Sequence, residues 1–314
     1  MNAIYSSLRM RRRYEAWFLT LRMADGSGAW WFRYLLHTPG RPRDGMLRDP
    51  QDFPMQLWAT WFPRDGAPQS FLQGFPLQDF SSSGRNRRPF HLQIGNHFLD
   101  DEGCRGGVES RDHRIHWELQ VRSTQHYSLS EVGWIGFCRA AHSDAVFSGF
   151  IEMDGRRWEG EILGWGVQGH NCGYRHRRRW SWAHCLLLDG KQPVGSFEAL
   201  SYDIPLGGHV RRAVLWQDGA RTLFRNVREV VRTRRPFAWE LQCRDSRSPF
   251  RAEVRLEGHP PSNHALSYRA TDGRSSFEVG NNSLARARVR VLSADGRVRD
   301  WEADGSTVLE MAGE

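Results

Sequence analysis

Between Gly164 and Leu188 the sequence GWGVQGHNCGYRHRRRWSWAHCLLL gathers side chains that can move protons, hold metals or shield charge. His170 and Asn171 stand among Gly164, Gly166, Gly169 and Gly173, and glycines let a chain bend tightly or pass close to another backbone. Such a bend would present imidazole and amide together, an arrangement suited to transferring a proton or orienting a water. Trp180, Trp182, His184 and Leu186 then recur at every second position, the period of one strand face. A ring of Trp beside a bent, polar His–Asn pair reads as a pocket wall rather than a turn.

Rival chemistries fit these residues less well. His170, Cys172, His176, His184 and Cys185 lie close in sequence, but they match no tetrahedral zinc spacing, and His184 and Cys185 would point to opposite strand faces. No metal is expected. A Cys172 nucleophile would need His170 folded back as its base. The chain has no GxSxG, Walker or dinucleotide motif. The run Arg175–Arg179 could pair with a phosphate or carboxylate, though a solvated loop is the simpler reading.

The 314 residues carry a net charge of +8, yet nearly all the cations are arginines, spread along the chain and interleaved with acids. A nucleic-acid footprint would be a concentrated stripe, so no nucleic-acid partner is expected. Five cysteines without a CxxC pair point to reduced thiols. No apolar run approaches the roughly 20 residues that span a bilayer, and the first residues lack the pattern of a cleaved leader. A cytoplasmic protein without a membrane span is the expectation. Composition does not set the oligomeric state.

The elements that must position these residues read as strands throughout. YEAWFLTLRM, the turn ADGSG and AWWFRYLLH form a hairpin over 14–37. In its second arm Trp31, Arg33, Leu35 and His37 share a face, and Arg33 among aromatics is a candidate anchor for an acid. Ile115, Trp117, Leu119 and Val121 alternate with polar residues, and the Trp-Glu pair at 117–118 recurs at 239–240, offering Trp117 and Trp239 as further aromatic walls. Short strands at even spacing continue to the end and indicate antiparallel barrels or sandwiches. LARARVRVL also admits a helix. LDGKQPVGS, over 188–196, is the best break. The expectation is an all-β chain of two consecutive antiparallel barrels, 1–190 and 191–314.

The order WFLTLRMADGSGAWWFRYLLHTP, QLWATWF, IHWELQV, VFSGFIEMDGRRWEGE and GWGVQGHNCG followed by WSWAHC resembles the bacterial lipocalin-like family that includes carotenoid hydratase (hydroxyneurosporene synthase), with tocopherol cyclase a more distant relative. The resemblance covers most of 14–188 and implies two calycin-type barrels. It also implies a pocket for an isoprenoid- or polyketide-like ligand, which is hydrated or cyclised across a carbon–carbon double bond without a cofactor. Carried over, His170 and Asn171 match the catalytic pair and Gly173 the closing glycine. Trp180 and Trp182 match the aromatic strand, with Cys172, His184, Trp117, Trp239 and Arg33 expected to contact substrate. Cys172 stands where that family usually has Trp. The alternative implied is a carrier or sensor of a lipophilic ligand that performs no chemistry.

Overall fold

The computed structural model describes residues 12–38, 49–83, 89–132, 136–174, 179–189, 192–204, 207–245, 250–293 and 295–313. Among them the chain is mostly extended, its strands joined by turns, bends and short 3-10 segments. The strands of the first half are β1 Arg13–Met23, β2 Gly28–Thr38, β3 Met55–Pro63, β4 Gln69–Phe75, β5 Phe80–Ser83 and β6 His91–Ile94. They continue as β7 His97–Asp100, β8 Gly103–Glu109, β9 Arg114–Arg122, β10 Tyr127–Val132, β11 Gly136–Met153 and β12 Arg156–Gly173. All belong to one sheet in the order β4-β3-β2-β1-β12-β11-β9-β8-β7-β6-β5, with β10 on β11.

The second half repeats this plan. Its strands are β13 Trp180–Asp189, β14 Gln192–Ile204, β15 Gly208–Gln217, β16 Ala220–Phe224, β17 Asn226–Arg234, β18 Phe237–Arg244, β19 Arg251–Glu257, β20 His264–Arg269, β21 Ser276–Leu292 and β22 Val298–Ala312. They form a sheet ordered β16-β15-β14-β13-β22-β21-β19-β18-β17, with β20 on β21. In each sheet the first strand of the set pairs with the last: β1 with β12, and β13 with β22. The chain is therefore all-β, with two antiparallel sheets built to the same scheme.

Side-chain alternation explains why each sheet folds. On β1, Trp17, Leu19, Leu21 and Met23 face the first core, joined there by Trp30, Phe32, Tyr34 and Leu36 of β2. β2 is buried at ten consecutive positions, so its other face is also covered, and a strand covered on both faces reads as a continuous apolar run. The second core takes Ala183, Cys185 and Leu187 from β13, Phe197 and Ala199 from β14, and Leu309 and Met311 from β22. LARARVRVL lies within β21 and alternates buried with exposed along its length. The helix admitted by its sequence gives way because every second residue enters the core, a period of two rather than 3.6.

Two compact units divide the chain. One holds Met1–Trp61, Gln69–His176 and Ser267–Phe277; the other holds Phe62–Pro68, Arg177–Leu266 and Glu278–Glu314. The sheet changes between β12 and β13, ahead of Trp180. LDGKQPVGS, which its composition marks as a linker, instead carries the end of β13 and the start of β14, which pair with each other, Asp189 with Gln192. Alternation decides this. Ala183, Cys185 and Leu187 fill the second core, so β13 joins the sheet that follows it. All five cysteines are free thiols and buried.

Candidate active site

The glycine-rich half of the sequence motif is straight strand rather than a bend. β12 runs unbroken through Gly164, Gly166, Gly169 and Gly173. The glycines serve close approach: a Cβ on Gly166 would run into the Thr20 carbonyl, and one on Gly169 into the Phe18 ring. Because β12 is extended, His170 and Asn171 project to opposite faces. His170 pairs in register with Trp17, and Asn171 with Ala16. The structure therefore does not join the two as one polar pair.

His170 meets Glu15 instead. Its Nε2 lies 2.9 Å from Glu15 Oε1, and both residues are completely buried. Glu15 stands opposite Cys172 on β12, so glutamate, histidine and cysteine share the face that carries Trp17. The Trp17 indole stacks on the imidazole at 4.8 Å between ring centres and 16° between planes, while Phe137 meets it edge-on at 4.8 Å. Phe90 lies against the same Trp17 at 5.8 Å. The pair thus sits in a sleeve of aromatic rings.

A carboxylate accepts hydrogen bonds and donates none, so the contact assigns the proton to Nε2 and the basic lone pair to Nδ1. Burial pushes the His170 pKa below its ordinary value, against the opposing pull of the Glu15 hydrogen bond and charge. At neutral pH the ring is then an uncharged base rather than a resident acid. Two residues earlier on the same strand face, Gln168 is also fully buried, and neither end of its amide has a hydrogen-bond partner among the described residues. The Trp17 indole N–H is likewise without an acceptor. Unsatisfied buried polar atoms are costly, and a donor plus an acceptor beside a buried base match the needs of a water or a ligand carbonyl.

Reasoning from sequence alone misses Glu15, Trp17 and Gln168. A signal for Glu15 is present: in RYEAWFLTLRM it is the acid in phase with Trp17, Leu19 and Leu21, on the face destined for the core.

The remaining candidates are dispersed. Trp117 lies in the first core, its Nε1 donating to the Tyr34 hydroxyl at 2.9 Å, which in turn donates to the Arg105 carbonyl at 2.9 Å. Burial and the neighbouring Cys104 raise the Tyr34 pKa well above its ordinary value. Glu118 faces away from that core, paired with Arg105, and Glu240 likewise pairs with Arg255. Trp239 fills the second core and donates to Glu229.

Trp180, Trp182 and His184 belong to the second sheet, on the face of β13 opposite Ala183 and Cys185. Trp182 Nε1 donates to Glu198 at 2.7 Å, and Glu198 stands across from His184 in the β13–β14 register. Arg33 is on β2, on the face opposite Tyr34 and Phe32, and stacks over Tyr268. Arg175, His176, Arg177 and Arg178 of the arginine-rich run lie outside the described residues. Among the described residues no three His, Cys, Asp or Glu side chains are grouped to hold a metal, and no helix is long and apolar enough to cross a membrane.

This architecture has known counterparts in solved structures. The protein CghA aligns over 96% of this chain and 89% of its own at TM-score 0.62, with 12% identity. Kievitone hydratase from Nectria haematococca aligns over 99% and 93% at TM-score 0.59, with 9% identity. An AttH candidate from Nitrosomonas europaea aligns over 99% and 97% at TM-score 0.53, with 14% identity. At such identities the likeness is one of fold, and it supports two lipocalin-like barrels in sequence. No family model matches the sequence, and no curated protein matches it.

Proposed function

We propose that the first barrel binds a hydrophobic, isoprenoid- or polyketide-like molecule and hydrates or cyclises it by cofactor-free proton transfer at His170, with Glu15 as the residue that holds His170. The observation that carries this reading is the fully buried Glu15–His170 contact inside a ring of aromatic faces. A hydratase and CghA among the structural counterparts are consistent with it.

In hydration of an alkene conjugated to a carbonyl, His170 Nδ1 takes a proton from water as the water oxygen bonds to the far alkene carbon and the π pair moves onto the carbonyl. Glu15 stabilises the imidazolium, and the proton then returns to the adjacent carbon, so that H and OH have been added across the double bond. In cyclisation the same base takes and returns a substrate proton with no net gain of water. Gln168 is placed to hold the water or a substrate carbonyl. Asn171 faces away and has no part in the step.

The test is mass spectrometry of small molecules that co-purify with the intact chain and with His170→Phe. The wild type should carry product, and the variant should carry a precursor that differs by one water or has equal mass and different retention. Identical molecules in both would remove His170 from the chemistry. A second reading, a carrier without turnover, is favoured by the zero exposure of both Glu15 and His170. It predicts that identical result, with Trp fluorescence quenched equally by ligand in both proteins.

A further inference from the structure

A cation without a protein counter-charge stands on the other face of β2. Arg33 is 5% exposed, and no ion pair or hydrogen bond joins its guanidinium to a carboxylate among the described residues. Its guanidinium lies over the Tyr268 ring, 4.4 Å from Cζ to ring centre. Burying a cation without a counter-charge is costly, so such groups are normally paired.

Acids of the same unit are engaged elsewhere. Asp49 and Asp52 both bind Arg269, at 3.3 and 2.9 Å. Asp272 is tied into its own turn by the N–H groups of Arg274 and Ser275. Gln56, on β3, is likewise taken up, donating to the carbonyls of Gln51 and Phe53 and accepting from Trp58.

Two residues before Arg33, on the same strand face, Trp31 is 2% exposed and its indole N–H has no acceptor. Arg33 and an unsatisfied indole N–H therefore share one strand face, two residues apart. The surrounding surface is aromatic: Trp58 meets Trp31 edge-on at 6.5 Å and Tyr268 at 5.6 Å. His37, further along the face, does not supply the missing negative charge. Burial, with Arg33 and Arg269 nearby, lowers its pKa to about 4 and keeps it neutral.

We propose that Arg33 and the Trp31 N–H form a binding site for the carboxylate of a flat, aromatic-compatible acid, whose apolar body lies against Trp58 and Tyr268. A guanidinium fork matches both carboxylate oxygens, and the indole supplies a further donor. The site lies on the opposite face of β2 from Tyr34 and Phe32 and does not depend on the chemistry proposed at His170. It adds a statement about ligand class: an acid is selected over its neutral ester.

The test compares 2-naphthoate with methyl 2-naphthoate by isothermal titration on the full chain at pH 7. Naphthoate should bind saturably and about tenfold more tightly than the ester, since a charge-assisted contact of this kind is lost on esterification. Arg33→Met should bring naphthoate down to the ester's affinity and leave the ester unchanged, and Trp31→Phe should weaken naphthoate by a few-fold. Arg33→Met should melt close to the wild type, because it keeps the apolar stem and breaks no ion pair. Absence of saturable naphthoate binding, equal affinity for acid and ester, or undiminished naphthoate binding by Arg33→Met would each overturn the site. Should that variant fold poorly, the thermal shift of the wild type with acid against ester decides the matter, a larger shift with acid supporting the site and equal shifts counting against it.

Discussion

The two sheets share a strand scheme but fill their interiors differently. The second core is made of small and aliphatic side chains with Phe197, Phe224, Phe237 and Trp239; the Trp239 indole is satisfied by Glu229, and the inward Thr307 hydroxyl beside Cys185 is a small polar exception. The corresponding face of the first sheet carries a buried acid, a buried imidazole and an unsatisfied amide among its rings. One scheme thus serves two ends. A filled apolar core stabilises a sheet, whereas polar groups placed at inward positions cost stability and are kept where chemistry or binding uses them. The proposed chemistry at His170 rests on this contrast.

Breaking the Glu15–His170 contact should have the largest effect. Either Glu15→Leu or His170→Phe alone strands a buried polar partner and should lower stability by about 3 kcal/mol. The double variant should recover most of that loss while remaining inactive. Denaturant unfolding of the four proteins gives the coupling directly, and additive losses would show that the two side chains do not interact. In the second core, Leu309→Ala should cost a similar 2–5 kcal/mol through its cavity but leave turnover intact where the protein is folded. Loss of turnover in folded Leu309→Ala would erase the division of labour between the units.

Acid should weaken the first unit in particular. His37 and His170 both have depressed pKa values, so the unfolded chain binds protons that the folded chain refuses. Stability contributed by their neutral forms is fully present above about 6.5. For His37 it declines as pH falls from 6.5 to about 4, by roughly 3 kcal/mol. Unfolding free energies measured across that range should flatten in His37→Phe. An unchanged slope would mean that His37 is charged in the native state. At the small end, Arg255→Ala opens an exposed ion pair with Glu240 and should shift stability by about 0.5 kcal/mol or less, without effect on the first unit.

The architecture is readable in the sequence because strand alternation is local. Ile115, Trp117, Leu119 and Val121 announce their core face, and the hairpin of Trp17 and Trp30 announces its turn. The site is only half readable. His170 is visible by type and setting, but its glycines suggest a bend when they serve close approach to Phe18 and Thr20. Glycine spacing does not distinguish these uses, since both need the absence of a Cβ. Glu15 lies 155 residues away from His170, and only the β1–β12 pairing brings them together. Nearness in sequence groups Trp180, Trp182 and His184 with His170, whereas the change of sheet before β13 assigns them to the second unit.

The most direct test of chemistry at the first barrel uses the lipophilic molecule retained by His170→Phe. It would be added to wild-type protein in oxygen-18 water and followed by mass spectrometry. The expected result is gain of one labelled water, or an isomer of unchanged mass and altered retention, from the wild type and not from Glu15→Leu. A molecule recovered unaltered after long incubation with folded wild-type protein would contradict catalysis and leave the first barrel as a binding site alone.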